Sequence, residues 1–153
     1  MFIRQIMTTN VATCQPETNL AVVAKLMWDR DCGFVPVLEA GNRLIGVITD
    51  RDICIASATR RLLPDQITAA QAMRRQPIHT TQADDTAEKA LATMKQFRVR
   101  RLPVVAADGS LKGVVSMNDI ILASQQKDGP APADVVSALA AISAHQPVKV
   151  AAA

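Results

Sequence analysis

Gly46-Val47-Ile48-Thr49-Asp50-Arg51-Asp52-Ile53 returns further along the chain as Gly113-Val114-Val115-Ser116-Met117-Asn118-Asp119-Ile120. The offset is about 67 residues, long enough for a duplicated supersecondary unit rather than a solenoid turn. Other positions repeat at the same distance: Val11 with Ile78, Met27 with Met94, Pro36 with Pro103. Each copy reads glycine, two apolar residues, Thr or Ser, two variable residues, Asp, then an apolar residue. That pattern is expected where a strand runs into a helix.

Working outward from the motif, each copy has the same plan. A short extended segment comes first, Asn10–Thr13 or Pro77–Thr80. A helix follows. In the first copy Thr18 is the expected N-cap, with Leu20, Val23, Leu26 and Met27 at helical spacing. In the second, Asp85 with Glu88 suggests a capping box, and Ala87, Ala90, Leu91 and Met94 continue the stripe. Two strands then pair through glycine-containing turns: Phe34–Leu38 with Leu44–Ile48, and Leu102–Val105 with Leu111–Val115. A proline inside each first strand pushes that strand toward a sheet edge. The last helix starts at Thr49 or Ser116. The order is strand-helix-strand-strand-helix, twice.

Repeat one is expected over residues 5–62 and repeat two over 70–124, joined by a bridge holding Arg60-Arg61 and a Pro64-Asp65 turn. Residues 125–153 read as a linker followed by a helix and tail. Asp134 is the expected cap there, with Val135, Val136, Leu139 and Ile142 on one face.

The chain has 153 residues, and each repeat alone would be marginally stable. A single core shared by the halves is therefore expected. With 49% hydrophobic but 3% aromatic residues, that core must be aliphatic. No apolar run reaches the roughly 18 residues a membrane span needs. Met1-Phe2-Ile3-Arg4-Gln5 lacks the layout of a secretory signal, so a cytoplasmic protein is expected. A net charge of +3 does not by itself point to nucleic acid. Arg74-Arg75, Arg98, Arg100 and Arg101 offer a basic patch, but stacking residues are scarce and Tyr is absent. Cys14, Cys32 and Cys54 leave two readings open, buried small hydrophobes or a Cys14–Cys32 redox pair. His79 and His145 have no metal-ligand spacing with cysteines or carboxylates, and no nucleophile–base pair stands out, so neither a metal site nor enzyme activity is expected.

The motif has its own chemistry. The glycine admits close approach of backbone to a ligand. The hydroxyl and free N–H groups at the helix start suit a phosphate. The Asp is a two-oxygen acceptor suited to the paired hydroxyls of a ribose. Plain helix capping by Thr49, Ser116, Asp52 and Asp119 accounts for the same residues without any ligand.

These residues resemble the CBS-domain family, and residues 5–124 look like a tandem CBS pair, or Bateman module. Thr49–Ile53 and Val99–Val104 are similar to stand-alone bacterial CBS-pair proteins, including the hypoxic-response type, which implies a stress-response role. The resemblance implies an α/β fold of two repeats packed with pseudo-twofold symmetry, plus the C-terminal helical extension. It implies a regulatory protein that binds AMP, ADP, ATP or a related ligand such as S-adenosylmethionine or NAD between the repeats, with no obligatory cofactor. It also implies a homodimer and a protein partner that reads the ligand.

Residue by residue, the resemblance implies two sites, with the first strand of each repeat crossing to the other half. The second-motif site would hold Ser116, Asp119, Arg101, Arg100 and Val115, with Thr8, Asn10, Val11 and Ala12 against the adenine. In nucleotide-binding relatives a basic residue at the place of Arg101 meets phosphate. The first-motif site would hold Thr49, Asp52, Phe34 and Val35, with Ile78, His79 and Thr80, and lacks that cation. The rival is a ligand-free scaffold of the same fold, acting as a protein-interaction or thiol-redox module.

Overall fold

A computed structural model gives the fold, and residues 1–74 and 77–144 are described. Arg75, His145 and the closing Pro147–Ala153 stretch lie outside them. Repeat one runs through α1 (Leu20–Asp29), β1 (Phe34–Glu39), β2 (Arg43–Thr49) and α2 (Asp50–Arg60). A short α3 (Ala69–Ala72) precedes the crossing into repeat two, with α4 (Ala87–Phe97), β3 (Arg101–Val105), β4 (Leu111–Ser116) and α5 (Met117–Ala123). The extension forms α6 (Pro132–Ser143). The result is the expected α/β pair with a C-terminal helix. Among the described residues no helix is long and apolar enough to cross a membrane.

Each sheet is an antiparallel hairpin with a β-bulge at the same place, between Val37 and Leu38 and between Val104 and Val105. The expected leading strands Asn10–Thr13 and Pro77–Thr80 do not form, and a single bridge stands just past each. Cys14 lies parallel to Val37 and Thr81 parallel to Val104. This arrangement accommodates the prolines without an open edge. The Pro36 carbonyl accepts from Cys14 N at 3.1 Å, and the Pro103 carbonyl accepts from Thr81 N at 3.0 Å. The missing N–H of each proline falls on that outer side, where the partner is one residue long.

Both first-helix caps sit one residue later than expected. Asn19 caps α1, accepting from Val22 N at 3.0 Å, and Thr86 caps α4, accepting from Lys89 N at 3.3 Å. Thr18 and Asp85 instead close the preceding turns, accepting from Gln15 N and Gln82 N. Helix α6 is entered through Ala131 with Pro132 in its first turn, so Asp134 is a first-turn acid rather than its cap. Val136 points outward, and Ala138 joins Val135 on the buried face.

The chain builds two cores where one was expected. Residues 1–8 leave repeat one and lie on repeat two: Ile3 N donates to the Asp85 carbonyl, and Thr8 and Val114 exchange two 2.9 Å backbone bonds. Ile3 is fully buried in the cluster of α4, α5, β3, β4 and α6. Ile67 and Ala69, after α2, complete the other cluster around α1, β1 and β2. Each half thus seals its own aliphatic core with chain from beyond its sequence repeat. The hairpin tips still join the halves, through Leu44 N to the Gly109 carbonyl and Asn42 Nδ2 to the Leu111 carbonyl.

Candidate functional site

The two motif turns fold alike. Ser116 caps α5 and Thr49 caps α2, each in a reciprocal capping box with the Asp three residues on. Ser116 N and Oγ donate to Asp119 Oδ2 at 2.7 and 2.6 Å. Thr49 N and Oγ1 donate to Asp52 Oδ2 at 2.9 and 2.7 Å. In both turns one carboxylate oxygen is committed to the cap and the second is left over. Asp119 N is itself held by Ser116 Oγ. Both cap hydroxyls are therefore engaged within the protein, Ser116 Oγ with Asp119 and Thr49 Oγ1 with Asp52.

Both motif glycines are closely approached by protein. A Cβ on Gly113 would stand 2.6 Å from the Thr8 carbonyl oxygen, and one on Gly46 would stand 2.4 Å from Met73 Sδ. Each glycine makes room for the segment that crosses from the other repeat.

Beside Ser116 and Asp119 lies a cavity of about 700 Å³. Repeat two supplies Arg100, Arg101, Val114, Met117, Asn118 and Ile121 to its wall. The crossing segment supplies Thr8, Asn10, Val11 and Ala12, and repeat one adds Arg30, Asp31, Cys32 and Phe34. Leu139 reaches in from α6. Of the residues expected at this site, all but one line the cavity. Val115 is fully buried in the core, and its neighbour Val114 takes the place. Successive strand residues face opposite sides, so a shift of one changes the layer entirely. Arg30, Arg100 and Arg101 have no ion pair among the described residues, and the facing acids are Asp31 and Asp119. Asp119 Oδ1 has no partner among the described residues.

Sequence reasoning missed Arg30, Asp31 and Cys32, because they belong to the other repeat's helix end. Asp31 takes the left-handed conformation (φ 47°), as its counterpart Arg98 does (φ 54°), a torsion that the residue types do not announce.

The expected first-motif site is not gathered in the same way. Phe34 lines the large cavity instead, and Val35 is buried in the core of repeat one. His79 stacks on Phe97, rings 3.6 Å apart and 9° from parallel, while Ile78 and Thr80 are half-buried. A cation is present after all. Arg74 Nε donates to Asp52 Oδ1 at 3.1 Å, so the second carboxylate oxygen is occupied from within the chain. The acid is 11% exposed and the arginine 64%.

All three cysteines are free thiols. Cys14 lies in the core, where burial pushes its thiol up to about 11. Among the described residues no group of three His, Cys, Asp or Glu side chains is placed to hold a metal ion.

The comparisons agree with this architecture. The sequence model of the CBS domain matches residues 3–59 and 69–126. The chain is 32% identical over 117 residues to hypoxic response protein 1 of Mycobacterium tuberculosis, covering 76% of this chain and 80% of that one. It is 31% identical over 117 residues to the protein MK0525 of Methanopyrus kandleri, covering 76% of this chain but only 59% of that relative. Hypoxic Response Protein I, solved with two coordinated zinc ions, superposes at TM-score 0.72 and 30% identity, over 80% of this chain and 98% of that one. CBSX2 in complex with AMP matches at TM-score 0.71 and 24% identity, over 82% and 96% of the two chains. The CBS pair of MJ0100, bound to 5′-methylthioadenosine and S-adenosyl-L-methionine, matches at TM-score 0.73 and 20% identity, over 82% and 98%.

Proposed function

The chain belongs to the CBS-domain family as a pair of its repeats, and from that premise we propose a cytoplasmic, non-catalytic regulatory module that binds one adenosine-containing ligand in the cavity beside Ser116 and Asp119. AMP, ADP and ATP suit it best, because the wall carries three arginines without an ion pair among the described residues. S-adenosylmethionine and NAD are the other candidates of the class.

One observation carries the reading. The second oxygen of Asp119 has no partner among the described residues, beside a cavity that also holds Arg30, Arg100 and Arg101. A carboxylate oxygen accepts from a ribose hydroxyl, and guanidinium forks suit phosphate. The backbone of Asn10–Ala12 is then placed to read an adenine edge, with Phe34 offering apolar contact. A cavity of this size falls within the range for ligands of that size. CBSX2 with AMP, and MJ0100 with 5′-methylthioadenosine and S-adenosyl-L-methionine, lend support as pairs of the same fold.

The mechanism is linkage. Walls from both repeats close on one ligand, so occupancy favours one placement of the halves, and a protein partner reads it. Self-association belongs to the same proposal. Ile55 and Leu122 hold equivalent positions on α2 and α5 and are 46% and 64% exposed, which offers a contact for a homodimer. Nucleic acid has no place in this reading, since Arg100 and Arg101 line the cavity and stacking residues are scarce.

Thermal denaturation with AMP, ADP, ATP, S-adenosylmethionine and NAD, followed by titration calorimetry of any ligand that shifts the midpoint, tests the proposal. A ligand at 100 times its Kd should add about 2.7 kcal/mol. Absence of a shift with every ligand would favour the ligand-free interaction module.

A further inference from the structure

The offset between the repeats places His79 at the station of Ala12 and Phe97 at the station of Arg30. In repeat two this pair is a stack, with the rings of His79 and Phe97 3.6 Å apart and 9° from parallel. In repeat one the same pair is open. Ala12 and Arg30 both line the large cavity, and Ala12 ends at its Cβ, so it brings no ring to the place. Arg30 is exposed and has no ion pair among the described residues.

We infer that Arg30 is the residue that stacks on the base of the bound nucleotide. The purine takes the space that the His79 ring takes in repeat two, and the guanidinium lies flat on it as Phe97 lies on His79. This deepens the nucleotide reading and rests on it. A guanidinium is planar and covers an aromatic face much as a phenyl ring does, with a cation–π attraction added. The three arginines of the cavity thereby divide into two roles. Arg101 pairs with Ser116 across the hairpin, and the Arg100 carbonyl accepts from Met117 N at 2.8 Å, so both stand at the turn that holds Asp119. Arg30 follows α1 on the other repeat, with Asp31 next to it on the cavity wall. A neighbouring carboxylate offsets much of a guanidinium's pull on phosphate, whereas stacking needs only the plane.

The same pairing accounts for the first motif. There the chain carries its own flat ring at the base station, His79, just as Arg74 takes the Asp52 oxygen that a ribose would use. Protein groups stand in for two parts of a nucleotide on that side, and neither has a counterpart at Thr8 or Ala12.

Titration calorimetry of the full chain with AMP and ADP tests the role of Arg30, at about 0.15 M salt to screen long-range charge. Arg30→Ala should weaken both nucleotides by one common factor of at least about tenfold, the scale of one stacked base. Arg30→Phe keeps a flat face and drops the charge, and should bind AMP within about threefold of wild type. Arg30→Lys keeps the charge and drops the plane, and should lose as much as Arg30→Ala. The reverse order, with Arg30→Lys tight and Arg30→Phe weak, overturns the proposal and makes Arg30 a phosphate ligand. So does a loss in Arg30→Ala that is larger for ADP than for AMP, or no loss at all. Ala12→His/Arg30→Phe transplants the stack of repeat two, and should leave no AMP binding up to about 1 mM. Binding as tight as in Arg30→Phe alone also overturns the proposal. Because Arg30 is exposed, the single variants should melt with wild type when no ligand is present, which separates a lost contact from a lost fold. If wild type binds neither nucleotide, the proposal falls together with the nucleotide reading. If wild type binds and the order of the Arg30→Phe and Arg30→Lys variants is reversed, the role of Arg30 falls alone.

Discussion

Thr8 and Arg74 hold the same station in the two halves, and their side chains make the two motif sites different. Each exchanges a pair of backbone hydrogen bonds with the second strand, Thr8 with Val114 and Arg74 with Val47. Each passes over a motif glycine that has no room for a Cβ. Beyond that point Arg74 reaches the spare oxygen of Asp52, whereas Thr8 is short and leaves the spare oxygen of Asp119 to the cavity. Duplication thus supplies two equivalent caps. One residue on the crossing strand decides whether the cap's acid faces a guanidinium or an open space.

The strongest attempt to break this comparison removes the two acids separately. In Asp119→Ala the nucleotide-dependent stabilisation, about 2.7 kcal/mol at 100 times Kd, should be lost, while Asp52→Ala should keep it. Ligand-dependent thermal shifts on both variants decide it. Equal loss in the two would mean that the halves are not distinct in the way Thr8 and Arg74 suggest. Each variant also gives up a capping box, so both should melt lower without ligand, by about 1 kcal/mol.

Exchanging the crossing residues sharpens the comparison. Thr8→Arg places a guanidinium where it can reach Asp119, and should weaken nucleotide binding at least about tenfold, or about 1.4 kcal/mol. Arg74→Thr frees Asp52. Its cost in stability should stay under about 1 kcal/mol, because the ion pair is exposed on the arginine side. Calorimetric stoichiometry is the informative reading: a second, weaker site in Arg74→Thr would show that the ion pair alone closes the first motif.

The glycines give a smaller contrast. Gly113→Ala would drive a methyl against backbone, the Thr8 carbonyl, whereas Gly46→Ala meets the Met73 side chain, which can turn aside. The first should cost about 2–3 kcal/mol and the second about 1 kcal/mol by urea denaturation. Reversed costs would mean that the Met73 side chain is the more rigid obstacle.

The repeat register made most of this legible. Caps, hairpins and motif turns recur at one offset, so the fold and the paired Thr49–Asp52 and Ser116–Asp119 turns could be read from residue types alone. The expected caps Thr18 and Asp85 miss by one residue in both copies, because either residue of each pair can accept from a backbone N–H and only the turn geometry chooses. Val115 was misplaced for a related reason: alternation says that one of two neighbours faces the cavity, not which. Arg74 was not legible at all, because its role depends on the chain after α3 folding back on β2. Nothing local in the sequence signals that return. The same holds for Ile3 and Ile67, whose recruitment gives each half its own core.

The cysteines mark a last asymmetry, since all three belong to repeat one. Cys14 is buried and its thiol is raised to about 11 by loss of hydration. The unfolded chain, with an ordinary thiol, releases that proton first. Stability is therefore whole below about pH 9 and falls as pH rises toward about 11, by about 1 kcal/mol once solvent screening is allowed for. Cys14→Ala should remove this part of the alkaline loss, and the difference between the two urea midpoints across that range isolates it from the titration of lysines. Alkylation gives a second reading, with exposed Cys54 reacting first and Cys14 last. Rapid alkylation of Cys14 at neutral pH would contradict its burial and return the thiol-redox reading to consideration. Slow alkylation leaves Cys14 a small hydrophobe of the core, and makes Cys32, on the wall of the cavity, the thiol whose reaction should depend on bound nucleotide.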